Sequence, residues 1–136
     1  MFDDNVKDLI SNLKYILIHN KEKLLKKQYL NLNNCDEMTG HCYVASEDFY
    51  HLYGKYHGFE PKVVSNKHIE KDISKQWTHW YLQNRQTLEI IDLTATQFSK
   101  TCLDFCYTNG VFKGFLTKEP SRRSQFVINL LKLYKN

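Results

Sequence analysis

Two short apolar runs, separated by five polar residues, constrain the fold of this chain more than any other feature. The first run, residues 77–82, is rich in aromatic side chains, and the second, residues 88–93, is rich in isoleucine and leucine. Aromatic and β-branched residues favour strands, and a polar segment between two such runs is typical of a hairpin loop. The pattern therefore predicts an antiparallel hairpin that belongs to a small sheet.

Apolar residues at helical spacing lie on both sides of the hairpin. Residues 4–18 carry one apolar stripe, which consists of Val6, Leu9, Ile10, Leu13, Ile16 and Leu17. A second helix is predicted over residues 22–29, and a third begins at Cys42 and ends before Gly54, which suits a C-terminal cap. A last helix follows Ser121, with an apolar stripe of Phe126, Val127, Leu130, Leu131 and Tyr134.

The remaining segments complete a mixed architecture. Residues 60–65 and 111–116 are predicted as strands, and residues 97–106 as a helix. We therefore predict an α+β fold in which helices from both termini and the Cys42 helix pack on a small antiparallel sheet. A chain of 136 residues is long enough for one hydrophobic core, so a single domain over residues 1–136 is predicted.

The composition excludes several classes of protein. Hydrophobic residues make up 42% of the chain and aromatic residues 14%, which argues against disorder. No apolar run approaches the roughly 20 residues that span a bilayer, so no membrane association is predicted. Asp3 and Asp4 stand where a signal peptide carries positive charge, so a cytoplasmic location is expected.

The net charge of +4 is concentrated in two Lys/Arg patches. The first consists of Lys21, Lys23, Lys26 and Lys27, and the second of Arg122, Arg123, Lys132 and Lys135. We interpret both patches as solvated helix faces. Contact with nucleic acid or another phosphate-bearing partner is the alternative interpretation.

The four cysteines, Cys35, Cys42, Cys102 and Cys106, do not indicate disulfides or a metal site. In a chain without a secretion signal, an even cysteine count carries little weight for disulfides. No spacing forms the Cys-x-x-Cys pattern of a zinc site, so neither a metal nor another cofactor is predicted. Cys102 and Cys106 are four residues apart and are expected to share one helix face as small buried residues.

Cys42 is the candidate nucleophile because it opens the third predicted helix. The unpaired N–H groups and the positive dipole at a helix start stabilise a thiolate. A thiol nucleophile also needs a base, and a third group that orients the base. His79 lies on the first run of the hairpin and Asp92 on the second, so this pair is the candidate for both roles.

The register of the hairpin decides whether His79 and Asp92 can meet. Residues that face each other on paired strands share one face of the sheet, and the face alternates with every residue. A loop with an even number of residues pairs His79 with Ile90 or Asp92. A loop with an odd number puts Asp92 on the opposite face from His79, unless a bulge returns it to the same face. We therefore predict that the carboxylate lies opposite the imidazole or one diagonal step away.

The order Cys42, His79, Asp92, with the cysteine opening a helix and the other two on successive strands, resembles the papain-like and transglutaminase-like superfamily of thiol enzymes. The His-Trp and Asp-Leu-Thr segments around the last two residues resemble the transglutaminase-like core most closely. The resemblance implies that Asp92 orients His79 and that the pair activates Cys42. Residues 40–98 and 114–123 also resemble a group of small bacterial or phage proteins of unassigned activity.

One position departs from the papain-type pattern. The resemblance implies a glutamine six residues before the cysteine, where it donates to the oxyanion, but this chain has Asp36 there. The N–H of Cys42 would then act with another donor, for which Asn34 and Gln28 are the candidates. Loss of one such donor costs roughly 3 to 4 kcal/mol of transition-state stabilisation.

These residues predict a cysteine-dependent hydrolase or acyl-transfer enzyme, such as a peptidase, amidase, deamidase or transglutaminase-like enzyme. Its substrate would be an amide or acyl group of a protein or a small molecule. Tyr43, Trp77 and Tyr81 are the candidates to line its cleft. The alternative is a non-catalytic binding or inhibitor protein on the same fold, with an ordinary Cys42 and a contact to an anionic partner.

Overall fold

A computed structural model describes residues 3–25 and 40–135. In this part the chain forms five α-helices and four strands, in the order α1 (Asp4–His19), α2 (Lys21–Leu24), α3 (Cys42–Leu52), β1 (Phe59–Ser65), β2 (Thr78–Asn84), β3 (Ile90–Ile91), α4 (Lys100–Asn109), β4 (Val111–Phe112) and α5 (Arg122–Lys135). The predicted combination of helices with an antiparallel sheet is confirmed.

The sheet is antiparallel throughout and has the strand order β3-β2-β1-β4. β1 and β2 form its long central pair. Pro61, the third residue of β1, accepts a hydrogen bond from the N–H of Lys113 at 3.1 Å, and the pairing of β1 with β4 starts at Lys62. The carbonyl and nitrogen of Pro61 both point toward β4, so its missing N–H removes no bond to β2. The proline lies near the beginning of its strand.

The hairpin of β2 and β3 has an even loop. Gln83 lies opposite Ile90, and the N–H of Asn84 donates to the carbonyl of Glu89 at 2.9 Å, which leaves four loop residues, 85–88. The Asn84 side chain accepts hydrogen bonds from two backbone N–H groups of this loop. Asparagine often organises turns in this way. β2 therefore continues two residues beyond the predicted apolar run, and the turn lies farther along the chain than this run indicated.

The observed register puts His79 and Asp92 on the same face of the sheet. Continuing the pairing by one residue from Ile91 places Asp92 opposite Tyr81, which is two residues from His79. Asp92 is thus one diagonal step from the imidazole, and the predicted shared face is confirmed. Direct pairing of His79 with Ile90 or Asp92 is wrong, because the turn lies farther along the chain than the apolar runs indicated.

The two faces of the sheet carry different helices. Leu82 and Ile91 face the main hydrophobic core, which α1, α3 and α5 complete. The predicted stripes of α1 and α5 supply this core with Val6, Leu9, Leu13, Ile16, Leu17, Val127 and Leu131. Tyr81 points to the opposite face, where it packs against Cys106 and Tyr107 of α4. The helix that opens with Cys42 therefore packs on one face of the sheet, and the His79 side chain points to the other.

α4 begins three residues later than predicted. The hydroxyl of Ser99 accepts a hydrogen bond from the N–H of Cys102 at 3.2 Å and caps the helix. Residues 95–97 form a separate 3₁₀ turn, so the boundaries predicted for a helix over residues 97–106 are wrong. Cys102 and Cys106 still share one helix face, and Cys106 is fully buried, as predicted.

Two other predicted boundaries differ from the structure. Only Val111 and Phe112 of the strand predicted over residues 111–116 pair with β1. The chain then leaves the sheet, and the N–H of Leu116 donates to the hydroxyl of Tyr43 at 2.8 Å instead. The helix predicted over residues 22–29 is described only as far as Leu24, because residues 26–39 lie outside the described residues.

Gly110 allows the end of α4 to approach β2 closely. A Cβ atom at Gly110 would lie 1.9 Å from the Tyr81 hydroxyl oxygen and 3.1 Å from the carbonyl oxygen of Cys106. Tyr81 is fully buried, and its hydroxyl donates to that same carbonyl oxygen at 3.0 Å. Its ring therefore has little freedom to move away from an added methyl group.

We expect Gly110→Ala to lower the free energy of unfolding by about 2 kcal/mol, as overpacking of a filled core does. Gly114→Ala is the matched control, because an added Cβ at Gly114 would meet no atom within 4 Å. The control should change stability by less than about 0.5 kcal/mol. Urea unfolding measures both values, and equal values for the two variants would contradict the close approach.

Candidate active site

His79 is held in an aromatic environment on the face of the sheet that α4 covers. Its side chain is fully buried. The Phe98 ring lies edge-on to the imidazole, with ring centroids 4.8 Å apart, and the Tyr81 ring stacks beside it at 5.8 Å. These rings exclude water from most of the imidazole.

Asp92 lies directly after β3 and binds the imidazole. Its Oδ2 atom accepts a hydrogen bond from Nε2–H of His79 at 2.6 Å, and its side chain is only 3% exposed. The other ring nitrogen, Nδ1, is buried and has no hydrogen-bond partner among the described residues. Because the carboxylate only accepts, a neutral imidazole here carries its proton on Nε2 and its lone pair on Nδ1.

Cys42 is the first residue of α3 and lies next to the start of β2. The first intrahelical bond runs from the N–H of Ala45 to the carbonyl of His41 at 2.9 Å. The N–H of Cys42 is thus one of the groups that a helix start leaves without an intrahelical partner. The half-buried thiol donates to the carbonyl oxygen of Thr78 at 3.7 Å. Since Thr78 immediately precedes His79, the start of α3 brings the sulfur close to the imidazole.

The surroundings of His79 favour its charged form. Burial disfavours the imidazolium and lowers its pKa, but the hydrogen bond and charge of Asp92 and the proximity of Cys42 raise the pKa more strongly. The pKa of His79 is consequently raised from 6.5 to about 9. The thiol hydrogen of Cys42 points to the carbonyl of Thr78 and not to the imidazole. Catalytic hydrogen bonds often become well aligned only when a substrate binds.

The structure separates Tyr43 from Trp77 and Tyr81, the other two aromatic residues that were predicted to line a cleft. Tyr43 is half-buried against Trp80, with ring centroids 5.0 Å apart, on the side of the sheet that α3 covers. Trp77 is half-buried on the α4 face. Tyr81 is fully buried and its hydroxyl is bonded to a backbone carbonyl. The prediction that Tyr81 lines an open cleft is therefore wrong, because its side chain fills the core beneath His79.

The candidates for a second oxyanion donor lie outside the described residues. Asn34, Gln28 and Asp36 all fall within residues 26–39. In the described ranges, the N–H of Cys42 at the start of α3 is the donor beside the thiol. A second donor at Asn34 or Gln28 stays a prediction.

Two residues that the sequence analysis did not identify also bind Asp92. Tyr107 of α4 donates its hydroxyl hydrogen to Oδ2 at 2.8 Å, and Thr94 donates its N–H and hydroxyl to Oδ1 at 3.3 and 3.4 Å. The Asp-x-Thr spacing could have revealed Thr94, because aspartate often accepts from the N–H two residues on. No comparable signal identifies Tyr107, since the contact depends on how α4 packs across the sheet.

The other cysteines of the described ranges have a different environment from Cys42. Cys42, Cys102 and Cys106 are free thiols. Burial raises the pKa of the Cys102 thiol, and it raises that of Cys106 to about 12. Both residues lie in an apolar cluster and are poor nucleophiles. Residues 3–25 and 40–135 also contain no group of three or more His, Cys, Asp or Glu side chains that could hold a metal ion.

A cleft of about 330 Å³ opens apart from these residues, near β4 and the first half of β1. Its lining includes Tyr50, Phe112 and Phe115, together with Lys113 and Lys118. The candidate nucleophile, base and acid do not line it. The candidate site, with Cys42 at the start of α3, His79 on β2 and Asp92 after β3, is therefore separate from this cleft.

No protein-family model matches the chain, and searches of curated proteins and of solved structures find no match. None of the described helices is both long and apolar enough to cross a bilayer. Interpretation of the site therefore depends on its geometry and chemistry.

Proposed function

We propose that this protein is a cysteine-dependent hydrolase or acyl-transfer enzyme that acts on an amide or acyl carbonyl of a protein or a small molecule. In this proposal Cys42 is the nucleophile, His79 the base and acid, and Asp92 the group that orients His79. The 2.6 Å bond between Nε2 of His79 and Oδ2 of Asp92 carries the proposal, because it leaves Nδ1 free beside a helix-opening cysteine. A papain-like or transglutaminase-like core is part of the same proposal.

The first step of the proposed reaction forms a thioester. In the proposed resting form the thiol proton of Cys42 has already passed to Nδ1 of His79, and the thiolate attacks the substrate carbonyl carbon. The C–N or C–O bond of the substrate then breaks, and the leaving group takes the proton from Nδ1. Asp92 keeps the ring in position and stabilises the imidazolium, while its own carboxylate stays ionised.

The second step releases the acyl group. Water or an amine approaches the thioester, gives a proton to Nδ1 of His79 and attacks the same carbonyl carbon. The C–S bond breaks, and the proton returns from the imidazolium to the sulfur of Cys42. Attack by water gives hydrolysis, and attack by an amine gives acyl transfer.

The charge of His79 determines the resting form of the proposed site. With a pKa of about 9, the imidazole holds a proton at neutral pH and is placed between a carboxylate and a sulfur atom. A thiolate beside an imidazolium is the reactive form of many thiol enzymes. The start of α3 adds a partial positive charge near the sulfur of Cys42.

The N–H of Cys42 is the first oxyanion donor in this proposal. It has no intrahelical partner, and it belongs to the same residue as the attacking sulfur. A second donor at Asn34 or Gln28 would add roughly 3 to 4 kcal/mol of transition-state stabilisation.

A non-catalytic binding protein is the second candidate function. The observation that favours it is the burial of His79 and Asp92, which are 0% and 3% exposed and leave a substrate little room beside them. An anionic partner would fit the two lysines of the separate cleft, Lys113 and Lys118. Binding of nucleic acid through the second Lys/Arg patch is less favoured, because Arg123 donates to the carbonyl of Leu24 at 2.9 Å and is not free.

Acylation by p-nitrophenyl acetate tests the proposed function. We expect one acetyl group per chain, on Cys42, with a burst of nitrophenolate of the same amount. Cys42→Ser should show no burst, and His79→Ala should slow acylation by about 100-fold, which is the usual effect of losing a general base. Adding glycine amide to the acylated protein then separates transfer, which gives an acetylated amine, from hydrolysis.

The remaining cysteines provide the internal control for this test. Peptide mass mapping should find acetyl groups on Cys42 well before Cys102 or Cys106. Acylation spread evenly over cysteines and lysines, at a rate that does not depend on His79, would contradict an activated nucleophile and leave the binding protein as the better account.

A further inference from the structure

Tyr107 shares one oxygen atom of Asp92 with the imidazole of His79. The Tyr107 hydroxyl donates to Oδ2 of Asp92 at 2.8 Å, and Nε2–H of His79 donates to the same atom at 2.6 Å. Thr94 occupies the other oxygen, Oδ1, with its N–H and its hydroxyl. Both oxygen atoms of the carboxylate are therefore held by donors, and only one of these donors is the proposed catalytic base.

The position of Asp92 explains why it needs these partners. β3 ends at Ile91, so Asp92 lies beyond the last residue of the sheet ladder. Its side chain is consequently held in place by α4 through Tyr107 and by the following turn through Thr94. The ring of Tyr107 packs against Tyr81 at 5.1 Å, which fixes the direction of its hydroxyl.

Tyr107 keeps its proton over the range in which the site would operate. Burial and the neighbouring carboxylate of Asp92 raise the pKa of its phenol far above the ordinary value of 10. The hydroxyl is thus a permanent donor. A hydrogen bond donated to a carboxylate oxygen disperses part of the negative charge of the carboxylate. The attraction between the carboxylate and the imidazolium is then weaker.

We propose that Tyr107 is a positioning residue of this site: it fixes the Asp92 carboxylate against His79 and weakens the hold of that carboxylate on the imidazolium. The inference rests on the proposed function, in which His79 must release its proton to the leaving group. The groups that titrate around this pair are Cys42 from α3, Tyr81 from β2, and Cys106 and Tyr107 from α4. Among them Tyr107 has a hydrogen bond to the carboxylate itself.

Tyr107→Phe removes this hydroxyl and keeps the ring. We expect the pH midpoint of the His79 ring, followed by its Cε1–H resonance in NMR, to rise by roughly half to one pH unit, because one charge-sharing hydrogen bond is lost. With an acyl donor whose leaving group must take a proton from His79, acylation of Cys42 at neutral pH should fall about three- to tenfold, because the imidazolium then releases its proton less readily. An unchanged midpoint would overturn the inference.

Tyr81→Phe is the matched control. It removes a second buried hydroxyl from the same cluster, but that hydroxyl donates to the Cys106 carbonyl and not to Asp92. Its His79 midpoint should stay near that of the unaltered protein. Replacement of Tyr107 by 3-fluorotyrosine, a stronger donor of the same shape, should lower the midpoint and provides the test if Tyr107→Phe does not fold.

The two readouts distinguish failure of this inference from failure of the proposed function. If the His79 midpoint moves in Tyr107→Phe but no acyl donor modifies Cys42, the positioning role is supported and the proposed enzymatic function is contradicted. Acylation at Cys42 with an unmoved midpoint supports the enzyme and contradicts the role of Tyr107.

Discussion

Replacing His79 with alanine is expected to slow the alkylation of Cys42 by iodoacetamide about 10- to 100-fold at pH 7. In the proposed site the imidazolium of His79 stabilises a thiolate at Cys42, and alanine removes that positive charge. The rate is measured by peptide mass mapping over a time course, so that Cys42 is followed separately from Cys102 and Cys106. The latter two thiols should react slowly in every variant, because burial raises the pKa of both.

His57→Ala is the matched control for this experiment. His57 is exposed and its ring stacks on Tyr53 at 3.9 Å, away from the proposed site. Its loss should leave the alkylation rate of Cys42 unchanged. Thermal unfolding must show that His79→Ala is still folded at the assay temperature. If the folded variant alkylates as fast as the unaltered protein, His79 does not activate Cys42.

The protein is expected to lose stability as the pH rises from about 6.5 to about 9, and Asp92→Asn should abolish most of this loss. His79 has a pKa that folding raises from 6.5 to about 9. Its stabilising contribution is therefore complete below pH 6.5 and disappears as the pH rises through about 9. The shift corresponds to a contribution on the order of 3 kcal/mol, because each pH unit represents about 1.4 kcal/mol.

Urea unfolding at a series of pH values measures this effect as the difference between the unaltered protein and the variant. Asp104→Asn is the control, because it removes an exposed carboxylate from α4 without touching His79. We expect the Asp104 variant to follow the unaltered protein across the whole range. A difference between the unaltered protein and Asp92→Asn that stays constant from pH 6 to pH 9 would contradict an imidazolium bound to Asp92.

The sequence predicted the helices better than their exact ends. The stripes of α1 and α5 are correct because amphipathic periodicity is local and extends over several turns. The predicted start of α4 is wrong because the helix is capped at Ser99, whose hydroxyl oxygen accepts a hydrogen bond from the N–H of Cys102. Several serine and threonine residues in succession provide competing caps, and packing selects one of them.

The shared face of His79 and Asp92 could be predicted without knowledge of the exact register of the hairpin. Any even loop puts both side chains on one face, so the prediction did not depend on the particular register. The register itself was wrong, because the turn is organised by the Asn84 side chain and not by the ends of the apolar runs.

By itself, therefore, the sequence determined the class of fold, the opening of a helix by Cys42 and the common face of His79 and Asp92. These properties follow from residue spacing within single segments. Only the tertiary structure decided that Tyr107 binds Asp92 and that Tyr81 is core, because both depend on α4 crossing the sheet and on Gly110 permitting a close approach. Contacts between separate elements are set by side-chain packing, which no spacing within one segment encodes.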